Sequence, residues 1–334
     1  MRRLLLCALL VLAVPAPTAA AGGTTVSAFF YPWYGTAARD GAYAHWGQLG
    51  HAPPDDIASS YYPARGLYSS SDRLVLAAQM AEIEQAGIDE VAVSWWGRGS
   101  AEDLRLPAIA AAARAAGLTV AAHLEPYAGR TVASTIDDIA ALRALGITTF
   151  YVYRALDLPL SEWATANDAL GPDVTVYAQT GLVGAAAAGH FDGVYTYDIV
   201  TYGGNMFARL CAQAHAKGIL CAPSVGPGYD ARRGSLDPRV KPRRQGRTYD
   251  AMWRSAITAH PDAVTITSYN EWHEGTQIEA AAPRTRHGRY RYSCYDGAWG
   301  KHGAAAETAY LDRTAYWSDV FRSTSAAQLK TSAS

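Results

Sequence analysis

Residues 73–96 read RLVLAAQMAEIEQAGIDEVAVSWW and contain one complete structural unit. Arg73–Gln85 has helical spacing of its apolar residues, and Gly87 follows where a helix C-terminus favours a residue tolerant of positive φ. Residues 88–96 then have strand character. The same unit recurs along the chain. Strands are predicted near 25–33, 118–126, 147–153, 173–179, 193–198, 218–225 and 263–271. Helical stretches such as Leu106–Ala116 and Phe207–Lys217 lie between them, and Gly117, Gly146 and Gly218 sit near helix ends. Strands alternating with helices imply a parallel sheet. Eight such units in about 300 residues imply an α/β single domain of the closed (β/α)8 TIM-barrel type. An open doubly wound sheet is the alternative, but no Gly-rich phosphate loop follows an early strand.

The N-terminus has Arg2 and Arg3, an apolar run from Leu4 to Val14, and Ala19-Ala20-Ala21, the layout of a secretory signal peptide over residues 1–21. The run is too short to span a bilayer, where roughly 20 residues are needed. The expected arrangement is a secreted catalytic domain over 22–323, with no membrane attachment after cleavage, and a frayed, disordered tail over 324–334. Net charge is −1, so no global field draws the chain to nucleic acid or anionic lipid. Cys7 would leave with the signal. Cys211, Cys221 and Cys294 remain, so one disulfide is possible, without a choice of pair. Two connections are long, 35–71 after the first strand and 226–246 after the seventh, and in a barrel both lie on the catalytic face. The second carries Arg232, Arg233, Arg239, Lys241, Arg243 and Arg244 and reads as a solvated basic loop.

The expected strand ends carry chemistry. The first ends in Tyr31, Trp33 and Tyr34, the second in Trp95 and Trp96, and the third in His123, Glu125 and Tyr127. The fourth offers Tyr151 and Tyr153, the fifth Gln179, the sixth Tyr195, Tyr197 and Asp198, and the seventh Ser224. The eighth runs into TITSYNEWHEGTQIE at 265–279, which places Asn270, Glu271 and Glu274 together. Residues three apart on an extended strand face opposite ways. The chain must therefore turn after Glu271, and Gly275 permits it. Two carboxylates in close company do not both ionise easily, so one is held protonated as a general acid. With 21 Tyr and 9 Trp able to pack against sugar rings, this points to a carbohydrate-cleaving enzyme. A non-catalytic sugar-binding barrel is the competing class, but it has no need of an acid. A zinc HExxH motif fails because position 277 is Gln, and Asp55-Asp56 is weak evidence for calcium. His123 and Glu125 point to one side of their strand. Recognition of a sugar hydroxyl is the favoured reading there, a structural pair the other.

These residues resemble glycoside hydrolase family 99, the endo-α-mannosidases and endo-α-mannanases. The matching pieces are YPWYG at 31–35, PPDDIASSYYP at 53–63, HLEPY at 123–127, FDGVYTY at 191–197, PSVGPGY at 223–229 and SYNEWHEGTQIE at 268–279. The resemblance implies a retaining, endo-acting hydrolase of α-mannosidic linkages that uses no metal or cofactor. It would act as a monomer on α-mannan or a mannose-containing oligosaccharide. By carry-over, Glu274 is the general acid/base and Glu271 the base for the sugar's own 2-hydroxyl, which then attacks the anomeric carbon. Tyr31, Trp96, Glu125, Tyr197 and Asn270 match substrate-contacting positions. His123, Tyr153 and Tyr195 join them as candidates, and the choice between Tyr195 and Tyr197 stays open. Trp96 stands where animal relatives that trim glucosylated N-glycans have Tyr, which favours a mannan-degrading enzyme over a glycoprotein endo-α-1,2-mannosidase.

Overall fold

The computed structural model describes residues 24–283 and 286–332, so the expected signal segment lies outside the described residues. Strands β1 (Thr25–Phe30), β2 (Glu90–Trp95), β3 (Thr119–Leu124), β4 (Thr149–Val152), β5 (Thr175–Gln179) and β6 (Gly193–Tyr195) pair in parallel, each with the next. The seventh strand is split into β7 (Leu220–Ala222) and β8 (Ser224–Val225). Pro223 separates the halves, and a proline has no N–H to give to a ladder. The first half pairs with β6, the second with the last barrel strand. Between them in sequence comes an antiparallel ribbon of β9 (Tyr229–Asp230) and β10 (Val240–Lys241). The last barrel strand, β11 (Ala263–Ile266), pairs with β8 on one side and β1 on the other, and the sheet closes as a (β/α)8 barrel.

β2 is buried at every position, as a strand covered on both faces requires. Around the barrel lie α1 (Ala37–Asp40), in the first long loop, and α2 (Arg73–Gln85), α3 (Ala101–Ala115), α4 (Val132–Arg143), α5 (Leu160–Asp168), α6 (Val183–Ala188), α7 (Phe207–Ala216), α8 (Arg247–Thr258) and α9 (Ala309–Ser332). α2 shows why such helices form. The Asp72 carboxylate accepts from the Leu74 N–H (2.8 Å), capping the N-terminus, and Leu76, Met80 and Ile83 recur on its buried face. Gly87, Gly117, Gly146 and Gly218 all have φ between +67° and +80°, as the sequence predicts.

Several expectations need correction. α3 begins five residues before Leu106, because Ser100 caps it by accepting from the Asp103 N–H. The last strand stops at Ile266 rather than 271. Beyond it the chain folds back on itself, with Ser268 N–H donating to Thr276 O (3.0 Å) and Glu279 N–H to Tyr269 O (2.9 Å). The tail expected to be disordered from 324 is helix as far as Ser332, since extending a formed helix is far easier than nucleating one. Cys211 on α7 and Cys221 on β7 form the disulfide, leaving Cys294 free.

Candidate active site

The segment leaving β11 makes the expected turn. Asn270 O accepts from Trp272 N–H (3.0 Å), Trp272 O accepts from Gly275 N–H (3.2 Å), and Gly275 has φ +64°. Glu274 is thereby carried into a cavity at the mouth of the barrel. It shares that cavity with Tyr153 after β4, Tyr197 and Asp198 after β6, and Tyr229 and Arg239 around the ribbon. Glu271 is buried beside it, 3 % exposed.

The two carboxylates have different surroundings. No hydrogen-bond donor reaches the Glu274 carboxylate among the described residues. Burial pushes its pKa well above the usual carboxylate range, and the charges of Glu271, Asp198 and Glu125 push it further, with Arg239 opposing. Burial also raises the Glu271 pKa, but His273 pulls it back. The Glu271 carboxylate accepts from the His273 N–H (3.2 Å), and His273 Nδ1 lies 3.4 Å from the same oxygen. The other ring nitrogen, Nε2, hydrogen-bonds the His45 carbonyl. A carbonyl only accepts, so Nε2 carries a proton. His273 thus favours the ionised form of Glu271 in a place where burial disfavours it. One carboxyl is set to donate a proton and its neighbour to accept one, the division that acid/base catalysis needs.

Two tyrosines feel the charges of these acids. The hydroxyls of Tyr31 and Tyr197 hydrogen-bond each other. Burial raises the Tyr31 pKa first, then the charges of Glu125, Glu271 and Glu274; Tyr197 is raised by burial and by the same three carboxylates. Both phenols therefore stay protonated donors. Glu125 is buried below them and accepts from Ser94 Oγ (2.8 Å). Tyr153 lines the cavity, and Trp96 leaves its indole 37 % exposed just past the end of β2.

Three expected sugar contacts are buried and bonded within the protein. His123 is 1 % exposed; its Nε2 hydrogen-bonds Tyr195 OH (3.0 Å), and its Nδ1 lies 3.2 Å from Glu125. Tyr195 is fully buried, with its ring edge-on to Tyr151 in the barrel interior. His123 thus sits between Tyr195 and Glu125 inside the barrel, the arrangement of a structural pair, and Tyr197 is the tyrosine that lines the cavity. Asn270 is also fully buried. Its Oδ1 accepts from Tyr31 N–H (2.7 Å), and its Nδ2 donates to Tyr31 O (3.0 Å) and Tyr68 OH (3.3 Å). It clasps the end of β1 to the catalytic turn.

The basic connection is not simply solvated. Arg233 pairs with Asp56 (2.6 Å), tying the two long loops together. Arg239 pairs with Asp198 (2.9 Å) and Asp237 (2.7 Å) at the cavity wall. Burial pushes the Asp198 pKa up, but the Thr201 N–H and Arg239 together hold it below the usual range. The Arg243 guanidinium sits over the rings of Tyr61, Tyr295 and Tyr310 at 4.7, 4.8 and 4.6 Å. It donates to Gly275 O (2.9 Å) and Gln277 O (2.7 Å), which braces the catalytic turn from behind. The sequence puts Asp198 at a strand end and His273 next to Glu274, but marks neither, nor Tyr229 or Arg239, as a site residue.

The family model described as Glycosyl hydrolase family 99 matches residues 23–323. A glycoprotein endo-alpha-1,2-mannosidase-like protein of Danio rerio is 34 % identical over 88 % of this chain and 77 % of its own length. The glycoprotein endo-alpha-1,2-mannosidase of Mus musculus is 31 % identical over 88 % and 74 %. The solved endo-alpha-mannosidase of the same family from Bacteroides thetaiotaomicron is 28 % identical and superposes with a TM-score of 0.81, covering 90 % of this chain and 98 % of its own. The chain is a glycoside hydrolase and belongs to family 99, the family of the endo-α-mannosidases.

Proposed function

We propose that the protein is a secreted endo-acting hydrolase that cleaves α-1,2-mannosidic linkages in mannan or mannose-rich glycans with net retention. The reading rests most on one observation, the opposed surroundings of Glu271 and Glu274 beside one cavity. In the first step Glu274 protonates the departing glycosidic oxygen while Glu271 takes the proton of the 2-hydroxyl. The freed oxygen attacks the anomeric carbon, the bond to the leaving group breaks, and a 1,2-anhydro sugar forms. In the second step Glu274, now ionised, removes a proton from water, which opens the ring at the anomeric carbon. Glu271 returns its proton to the 2-oxygen, and two inversions leave the configuration unchanged. The Tyr31–Tyr197 hydroxyl pair offers hydrogen bonds to sugar oxygens near the acids.

Secretion is supported by the signal-like N-terminus and by the Cys211–Cys221 disulfide, which suits an oxidising compartment. Mannan as substrate is supported by Trp96, which is 37 % exposed just past β2; an indole there would give an outer sugar an apolar face and disfavour a glucose with an equatorial 2-hydroxyl. The second reading, trimming of glucosylated N-glycans, draws on the names of the animal relatives. Product analysis on a defined α-1,2-linked mannooligosaccharide, with anomeric configuration followed by NMR, tests the reaction. Inverted product, or release of terminal mannose alone, would reject it. Trp96→Tyr should move the kcat/KM ratio toward a glucose-terminated substrate by about 10-fold, the scale of small steric changes in a pocket. An unchanged ratio would reject the specificity argument.

A further inference from the structure

Outside the catalytic cavity, a second concavity of about 530 Å³ lies between the loop after β6 and the first turns of α8. Both walls follow strand C-termini, so it opens on the catalytic face. Lys241, Arg244 and Arg247 line it, and Asn205 and Ser255 add further donors. Its shape depends on glycine: a Cβ on Gly204 would come within 2.8 Å of the Ser255 side chain, and Gly203 leaves its backbone facing the Lys241 ammonium.

The charges here contrast with the rest of the same connection. Arg232 pairs with Asp230, Arg233 with Asp56 and Arg239 with Asp198 and Asp237, and Arg243 is held by carbonyls and tyrosine rings. Lys241, Arg244 and Arg247 have no carboxylate within 4.0 Å among the described residues. The acid acting on Lys241 is Asp198, already bound by Arg239 and by the N–H groups of Val200 and Thr201. Asp250, in the first turn of α8, instead accepts from Arg313, Trp299 and Trp317. α8 also begins at Gly246 without a side-chain cap, its Gly246 and Thr248 N–H groups donating instead to Arg243 O. Burial and Arg244 both disfavour the charge on Lys241, so an anion entering the concavity relieves strain between like charges.

We propose that this concavity is a subsite for a phosphate ester carried on the glycan. The inference rests on the mannan reading of the catalytic cavity and adds a preference for anionic substrates. Three cations and two neutral donors around one space suit a tetrahedral dianion better than a planar carboxylate. The two concavities are close: Lys241 pairs in register with Tyr229, whose side chain lines the cavity of Glu274. Paired Cα atoms across a ribbon are about 4.5–5.5 Å apart. A glycan with its scissile bond at Glu274 therefore reaches the cations within a sugar unit or two.

The test uses the triple variant Lys241→Gln/Arg244→Gln/Arg247→Gln and a charge-retaining Lys241→Arg control, both checked for an unaltered thermal transition. Calorimetry should show mannose 6-phosphate and inorganic phosphate binding to wild type, with affinity falling as salt rises, and mannose itself binding far more weakly. Binding should drop at least about 10-fold in the triple variant and persist in the control, as loss of charge-assisted hydrogen bonds predicts. The ratio of kcat/KM on a phosphate-bearing mannan to that on the same polymer after phosphatase treatment should be about 10 in wild type and collapse toward 1 in the triple variant. Equal cleavage of the two polymers by wild type, or a preference that survives the triple substitution, overturns the proposal. Binding of inorganic phosphate without any polymer preference overturns it too, since the site would then serve a free anion. If neither polymer is cleaved, the mannan reading falls, and the mannose 6-phosphate titration still decides: no binding, or binding unchanged in the triple variant, overturns the subsite.

Discussion

Glu274 and Glu279 lie five residues apart on the segment that leaves β11, and the protein treats them in opposite ways. The Glu279 carboxylate is fully buried and accepts four hydrogen bonds, from Arg65 Nε (3.0 Å), Gln79 Nε2 (2.8 Å), Tyr68 OH (2.8 Å) and Trp272 Nε1 (2.9 Å). Both oxygens are saturated, and a guanidinium supplies the opposite charge, which offsets part of the rise that burial imposes on its pKa. Glu274 receives no donor among the described residues and feels three further carboxylates, Glu271, Asp198 and Glu125. Burying charge without partners is expensive, so a protein that can satisfy one acid completely leaves another bare only where a proton must move. Glu279 holds the fold of the catalytic turn; Glu274 is held by that turn in a state ready to react.

The largest test of this contrast is chemical. Glu274→Gln should lower kcat/KM on an α-1,2-linked mannooligosaccharide by about 10²–10⁴-fold, the range for loss of a general acid, with the cooperative unfolding transition intact. A loss below tenfold would remove Glu274 from the chemistry. The matching test at Glu279 should strike stability instead. Arg65→Met strips the counter-charge from a buried carboxylate and should cost about 3–5 kcal/mol, read from the urea midpoint. The variant's folded fraction should retain far more activity than Glu274→Gln. A midpoint unchanged from wild type would show that Glu279 needs no cation.

A smaller effect should separate Glu271 from both. His273 pulls the Glu271 pKa down against burial, so His273→Asn lets it rise. The base is then protonated at higher pH, and the low-pH limb of kcat/KM should shift upward. Hydrogen bonds to charged groups are worth about 1.5–3 kcal/mol, so at acidic pH the rate should fall by at least about tenfold, with a smaller loss at alkaline pH. A uniform loss across the profile would mean that His273 only shapes the turn.

The same contrast explains what could be read from the sequence. The alternation of helix and strand was legible because each unit is local: a capped helix, a glycine at positive φ, then a short buried strand. The acid pair was legible because Gly275 announces the turn. Burial was not. His123, Tyr195 and Asn270 have the right chemistry for sugar contacts, and only the depth of each side chain shows that they support Glu125 and Tyr31 from within. Long-range charge pairing was hidden for the same reason. Nothing local says that Arg239 meets Asp198, 41 residues away, or that Arg233 meets Asp56, 177 residues away. The split of the seventh strand was written in Pro223, but its consequence depends on two neighbours that need different halves.

The smallest expected effect is on stability, and its sign follows from the raised pKa of Glu274. Below the ordinary glutamate value of about 4.3, both folded and unfolded chains hold the proton, and the residue costs the fold nothing through titration. As pH rises above that value the unfolded chain releases the proton while the folded one keeps it. Stability then falls with pH until the folded pKa is passed, after which the penalty stays constant. Glu274→Gln carries no titrating group and escapes this loss. The variant should therefore gain on wild type in urea midpoint between about pH 4 and pH 8. Asp198, whose pKa is lowered, contributes with the opposite sign in both proteins, largely cancelling in the comparison. A midpoint difference that is flat with pH, or larger at pH 4, would mean that Glu274 is as well compensated as Glu279. Its lack of donors would then have no energetic consequence, and the case for a stored proton at the barrel mouth would fail.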